Sequence, residues 1–200
     1  MPLGWSPHDW SAFLIAVCFA AGLNVYATVG MLGLLAHTGA FELPGSLHLA
    51  ENWWVIGACA LLFLAEFIGD KIPVFDLLWN AAHTFVRVPV AALIAYAATP
   101  QLPDGERLLA TLLGGLIALA AHGGKTAARA AIAPSPEPVS NFALSFSEDA
   151  FAVFITWFGT RHPYAAAGIV LVAIAIILAM IRVVWTALEK LFSGALAQAK

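Results

Sequence analysis

Residues 74–98 read VFDLLWNAAHTFVRVPVAALIAYAA. Most of this stretch is apolar, yet Asp76, Asn80, His83 and Arg87 recur at i, i+4, i+7 and i+11. On a helix that spacing aligns all four side chains along one face. A polar face in so apolar a segment must turn towards other helices or a water-filled cavity, because ionisable groups are costly in lipid. The stretch therefore predicts a membrane helix with one functional face.

The rest of the chain agrees. It has 200 residues, of which 62% are hydrophobic and 10% charged, with a mean hydropathy of +0.88. Its apolar runs are too long and too numerous for a soluble domain. A net charge of −3 without a basic tail or patch gives no reason to expect nucleic acid as a partner. Cys18 and Cys59 both sit in apolar runs and read as small buried hydrophobes. The N-terminal stretch lacks the positive region of a signal peptide, so the first apolar run is expected to stay in the membrane.

Six segments are expected within one transmembrane domain over residues 1–200. The first is Trp10–Ala36, interrupted at Gly22-Leu23-Asn24, followed by Asn52–Gly69 and by Val74–Ala98 with Pro89 inside. The fourth is Arg107–Ala133, interrupted at Gly123-Gly124, and Val139–Gly159 and Tyr164–Leu188 complete the set. Ala165–Ile181 has no polar side chain and can face lipid throughout. Six tryptophans lie near segment ends, where indoles favour the headgroup region. With six crossings, Lys71, Lys190 and Lys200 fall on one side, close to Arg129, and Arg107 and Arg161 on the other. That asymmetry favours cytoplasmic termini in a bacterial inner membrane.

The chain also repeats a pattern. Phe67-Ile68-Gly69-Asp70-Lys71-Ile72-Pro73 parallels Trp157-Phe158-Gly159-Thr160-Arg161-His162-Pro163, and Ala20-Ala21 before the first glycine interruption parallels Ala120-Ala121 before the second. Two halves, about 9–99 and 106–192, would then form inverted three-segment repeats, each with a broken or re-entrant first helix. The fold class expected is an all-α membrane protein.

The polar residues inside these segments form further stripes. His122, Lys125 and Arg129 repeat the i, i+3, i+7 spacing of Asn80, His83 and Arg87, and Asn141, Ser145 and Glu148 form a third face. Glu66 and Asp70 are i, i+4 near the end of the second segment, and Asp149 adjoins Glu148. Several cations on inward faces need acids, water or an anionic ligand to compensate them. The bland alternatives are snorkelling, which suits Arg129 near its segment end, and static buried salt bridges that only fix helix packing. A helix broken at the glycines would expose backbone donors, a natural anion site. Asn24 and Tyr26 follow the first interruption, and Lys125 and Arg129 the second. The other reading of the glycines is close helix approach. Nucleophile elbow, zinc-protease and phosphate-loop motifs are absent from the sequence, so no enzyme, cofactor or metal site is expected.

Four motifs carry a resemblance: Gly22-Leu23-Asn24-Val25-Tyr26-Ala27-Thr28, Glu66-x-x-Gly69-Asp70-Lys71-x-Pro73, His122-x-x-Lys125-x-x-x-Arg129 and Ser145-x-Ser147-Glu148-Asp149. On these the chain resembles an uncharacterised bacterial integral-membrane family, domain of unknown function 4126, which implies no activity. Glu66 to Lys71 is also similar to the Glu-x-Gly-Asp-Lys motif of Mn²⁺/Ca²⁺–proton exchangers built from two inverted three-helix repeats. That resemblance implies a cation site formed by acids from both copies. Here one extra residue separates Glu66 from Gly69, and the second copy has Thr156 and Thr160 in the acidic positions.

The first functional expectation is a transporter or lipid-headgroup translocator for a small phosphate- or carboxylate-bearing anion, coupled to an ion or proton. Asn24, Tyr26, Asn80, His83, Arg87, His122, Lys125, Arg129, Asn141 and Ser145 would line its site. Glu66, Asp70, Lys71, Asp76, Glu148 and Asp149 would couple or gate it. Expected partners are membrane lipid, the substrate or ion, and further copies of the chain. The alternatives are a divalent-cation/proton exchanger and a non-transporting membrane scaffold.

Overall fold

The computed structural model describes residues 4–70, 73–132 and 138–198, and its regular elements are helical, with no strand among the described residues. In chain order they are α1 (Pro7–Leu23), α2 (Val25–His37), a 3-10 helix (Gly45–Glu51), α3 (Trp53–Gly69), α4 (Pro73–Ala98), α5 (Asp104–Ile132), α6 (Pro138–Arg161) and α7 (Pro163–Gln198).

α1 begins with a capping box. Ser6 Oγ accepts from the Asp9 amide at 3.3 Å, and Asp9 Oδ2 accepts from the Ser6 amide at 2.7 Å. Pro7 at the first position costs no hydrogen bond there. From Ala12 to Leu23 the helix is apolar all round, the signature of a helix with neighbours on every side. α1 is accordingly the central rod, packed against α4, α5, α6 and α7. One side joins Phe13, Val17 and Cys18 to Ala91, Ala95 and Ala118. The other joins Ala16, Phe19 and Ala20 to Ala152, Ile155 and Val170. At its N-terminal end Trp5, Trp10, Phe13 and Phe41 meet with ring centroids 5.1 to 6.1 Å apart.

The outer surface is inverted relative to a water-soluble protein. On α5, Leu108, Leu112 and Leu116 are exposed while Lys125 is 2% exposed. On α3, Leu61 and Ile68 face outward and Glu66 inward, and on α4 Phe85 is 83% exposed while Arg87 is 0% exposed. Water would reverse both preferences; lipid selects this arrangement. Among the described residues, three stretches are long and apolar enough to cross a membrane: Trp79–Ala98, Asp104–Arg129 and Pro163–Val183. They correspond to the third, fourth and sixth expected segments, and they point to membrane insertion. The other three expected segments differ. The first is divided into helices of 17 and 13 residues. α3, with 17 residues, is about 25 Å long, short of a hydrocarbon core of about 30 Å. α6 has 24 residues, but Ser145, Ser147, Glu148 and Asp149 lower its hydropathy.

The two glycine interruptions part company. The first is real: Asn24, at φ −149° and ψ 104°, ends α1 and starts α2. The second is not, and the expected break at Gly123-Gly124 is corrected, because α5 runs unbroken from Asp104 to Ile132. A helical glycine costs only about 1 kcal/mol relative to alanine, and here close packing accounts for one of the pair. A Cβ on Gly124 would lie 2.6 Å from Ile177 Cδ1 on α7, whereas one on Gly123 would meet nothing within 4 Å. Gly22 is tighter still, since a Cβ there would lie 2.3 Å from the Ala118 carbonyl oxygen. Gly22→Ala is therefore expected to destabilise the protein by about 1–3 kcal/mol through overpacking. Gly123→Ala should leave stability unchanged or raise it by up to about 1 kcal/mol. Thermal unfolding in detergent compares them, and a more damaging Gly123→Ala would refute the continuous α5.

Candidate functional site

The polar stripes converge on the α1–α2 break, and the helical period explains how. Glu66 and Asp70 share the inward face at the end of α3, Asn80, His83 and Arg87 that of α4, and His122, Lys125 and Arg129 that of α5. α6 adds Ser145, Glu148 and Asp149, and Asn24 comes from the break itself. All of these are buried, with Glu148 the most exposed at 9%.

Lys125 is the hub. Its Nζ lies 3.4 Å from Glu66 Oε1, 3.5 Å from Asp70 Oδ2 and 3.6 Å from Glu148 Oε2, and it donates at 3.3 Å to the Leu23 carbonyl. That carbonyl is one of those left open where α1 ends, so a cation sits at the negative end of the helix dipole. Arg129 Nη2 reaches Asp70 Oδ2 at 2.6 Å and Glu148 Oε2 at 2.9 Å, and Ser145 Oγ donates to the same Asp70 oxygen at 3.2 Å. Arg87 Nη2 pairs with Glu66 Oε1. Each of the three cations thus faces at least one carboxylate.

The histidines are locked by their partners. Arg87 Nη1 can only donate, so His122 Nδ1, 2.8 Å away, accepts, and the ring proton sits on Nε2, which donates to Thr84 Oγ1 at 2.8 Å. His122 is neutral in this arrangement, and for it to take a proton Arg87 must first leave Nδ1. His83 Nδ1 donates to the Trp79 carbonyl at 2.8 Å, which leaves Nε2 to accept from the Tyr26 hydroxyl at 3.0 Å. Arg87 Nη1 also lies 3.4 Å from Asn80 Oδ1.

At the break, Asn24 Oδ1 accepts from the Ala27 amide at 2.9 Å, capping α2, while its Nδ2 donates to Asp149 Oδ1 at 2.8 Å. These contacts lie at the start of α2, where an open anion site was expected. Asn24 itself takes up a first-turn donor, and the side chain that approaches the break is the acid Asp149.

The structure thus brings together Asn24, Glu66, Asp70, Asn80, Arg87, His122, Lys125, Arg129, Ser145, Glu148 and Asp149, with Tyr26 and His83 hydrogen-bonded to each other. Lys71 and the side chains of Asp76 and Asn141 lie outside the described residues. Two participants escaped the sequence reading. Thr84 gives no signal in sequence, because helical hydroxyls usually bond back to their own chain, and the Leu23 carbonyl has no side-chain signature. The apolar cavity of about 220 Å³ between α2 and α3, lined by Tyr26, Gly30, Ile56, Cys59 and Phe63 among others, includes none of the charged residues.

An all-helical, membrane-type protein with a buried ionic centre is the class this fold and cluster define. The chain belongs to the family described as a domain of unknown function (DUF4126), whose model matches residues 12–183, a range that contains every residue of the cluster. No curated protein and no solved structure matches the chain.

Proposed function

We propose that this chain is a proton-coupled membrane transporter whose buried ionic cluster is the coupling centre. One observation carries the reading: four buried carboxylates, Glu66, Asp70, Glu148 and Asp149, face three buried cations, Arg87, Lys125 and Arg129. Buried ion pairs stabilise poorly compared with apolar packing, so seven charges drawn from four helices are more than helix packing requires. The surplus is negative. An anionic substrate, phosphate- or carboxylate-bearing, would have to displace Glu66, Asp70 and Glu148 from the three cations. A proton or other cation meets the same competition at Glu66, Asp70 and Glu148 but not at Asp149, whose hydrogen-bond partner is the neutral Asn24 amide, so the cation-coupled alternative takes precedence over the anion carrier.

The six-segment inverted-repeat plan goes with this reading, in a bacterial cytoplasmic membrane with both termini in the cytoplasm. In support, α4 and α7 both begin on the proline of the repeated link, Pro73 and Pro163. The counterparts of Glu66 and Asp70 in the second half, Thr156 and Thr160, are buried as well. A static scaffold is the second reading, favoured by the closed pairing of all three cations.

Reconstituted liposomes with an entrapped pH dye separate these readings. Gradients of Na⁺, K⁺, Mg²⁺, Ca²⁺ or Mn²⁺ are imposed in turn, with phosphate as the anion arm. Proton movement driven by one cation gradient and abolished in Glu148→Gln is the expected result. Movement driven only by phosphate would restore the anion carrier. Folded protein that moves protons under none of these gradients is the scaffold.

A further inference from the structure

The charges of the cluster do not pair off evenly, and the remainder falls on one residue. Glu66, Asp70 and Glu148 are matched by Arg87, Lys125 and Arg129. Asp149 is not. Its Oδ1 accepts from the neutral Asn24 amide at 2.8 Å, and its Oδ2, fully enclosed, has no hydrogen-bond partner among the described residues. The residue is 3% exposed. The charged groups near it are Lys125 of α5 and Glu66 and Asp70 from the end of α3, with Glu148 beside it in the chain on α6. The α1–α2 break brings only Asn24. An ionised carboxylate held there without a counter-charge is several kcal/mol unfavourable, so the site calls for a small positive ligand. One free oxygen is enough for a proton. A hard metal ion wants about six oxygens, and among the described residues no three His, Cys, Asp or Glu side chains are grouped to hold a metal.

We propose that Asp149 is the proton-binding site of the cluster and that Asn24 links its protonation to the α1–α2 break. The inference names the proton's residue for the coupled-transport reading above and rests on that reading. The step is a simple one: Oδ2 gains a proton to give the neutral acid and returns it to give the carboxylate, with no other bond made or broken. What changes is the hold on Asn24. The carboxylate receives a charge-assisted hydrogen bond from Nδ2, roughly twice as strong as the one the neutral acid receives. The same amide caps α2 through Oδ1, so a stronger pull on Nδ2 acts directly on the first turn of that helix. α2 in turn carries Tyr26, which is bonded to His83 on α4. The proton on Asp149 thus sets the junction between two helices and, through Tyr26, the contact of α2 with α4.

Infrared spectroscopy of the full chain in lipid nanodiscs tests the assignment without transport. The expected spectrum at neutral pH contains the carbonyl stretch of a protonated carboxyl. That band should vanish in Asp149→Asn, persist in Glu148→Gln and shift in Asn24→Ala. Labelling wild type with carbon-13 aspartate should move it, which guards against a variant that fails to fold. Absence of the band in wild type, its survival in Asp149→Asn, or insensitivity to the aspartate label would overturn the proposal. The two readings fail separately. The band without any proton flux leaves Asp149 as a static neutral acid and removes the transporter, whereas flux without the band keeps the transporter and moves its proton elsewhere.

Discussion

Arg87→Met is expected to destabilise the folded protein by about 3–5 kcal/mol, because it leaves the Glu66 carboxylate buried with only Lys125 to share. Both residues of the pair are 0% exposed, so neither water nor salt screens the loss. The substitution also takes the donor from His122 Nδ1. Glu66→Met should be milder, because Arg87 then keeps His122 Nδ1 and Asn80 Oδ1 as partners and Lys125 keeps Asp70 and Glu148. The double variant, with both groups replaced by apolar side chains, is expected to recover most of the stability lost in Arg87→Met, since the unpaired charge is gone. A double-mutant cycle read by thermal or SDS unfolding gives the coupling energy. Coupling near zero, with Arg87→Met as stable as wild type, would mean that the two groups do not meet in the fold.

The stripes were legible because helical period is a local property. Asn80, His83 and Arg87, or His122, Lys125 and Arg129, need only their own helix to share a face, and each set is buried as its spacing required. Which acid meets which base is a tertiary matter. Glu66 and Arg87 are 21 residues apart and Lys125 and Asp70 55 apart, and no local pattern ties them. The two glycine interruptions look alike in sequence but differ in the residue that follows them. Gly22-Leu23 is followed by Asn24, whose amide accepts from Ala27 and holds the break open. Gly123-Gly124 is followed by Lys125, which cannot accept, and glycine permits a break without enforcing one. The central place of α1 was hidden for a different reason. Ala12–Leu23 of α1 and Ala165–Ile181 of α7 are both apolar all round, but the first lies at the core while the second turns one side outward, with Leu171 and Val172 exposed. Lipid tails and protein interiors are equally apolar, so hydropathy cannot tell these two positions apart. The break, in turn, depends on this core position, because open carbonyls inside a membrane protein need an internal partner. Lys125 supplies it for Leu23.

Lys125→Met is expected to have the largest effect of any single substitution, amounting to loss of the folded state at neutral pH. Its ammonium faces Glu66, Asp70 and Glu148 together. Without it, four buried acids remain against two cations, and the Leu23 carbonyl at the end of α1 loses its donor. Removing one partner of a single buried pair already costs about 3–5 kcal/mol, a large share of the 5–15 kcal/mol that holds a typical domain folded. The loss should be reversible by acid. In the variant, the folded state at neutral pH takes up protons on carboxylates left without their cation, while the unfolded state, with its acids in water, stays ionised. The folded state then binds more protons, so stability rises as pH falls, until the acids of the unfolded chain are protonated too. Lys125→Arg keeps the charge but replaces a compact ammonium with a planar fork, and it should fall between wild type and Lys125→Met. The measurement is the folded fraction in detergent against pH, by size-exclusion chromatography and thermal unfolding. A Lys125→Met protein that is folded at neutral pH and no more stable in acid would show that the ammonium does not hold the three carboxylates together, and the cluster as described would have to be abandoned.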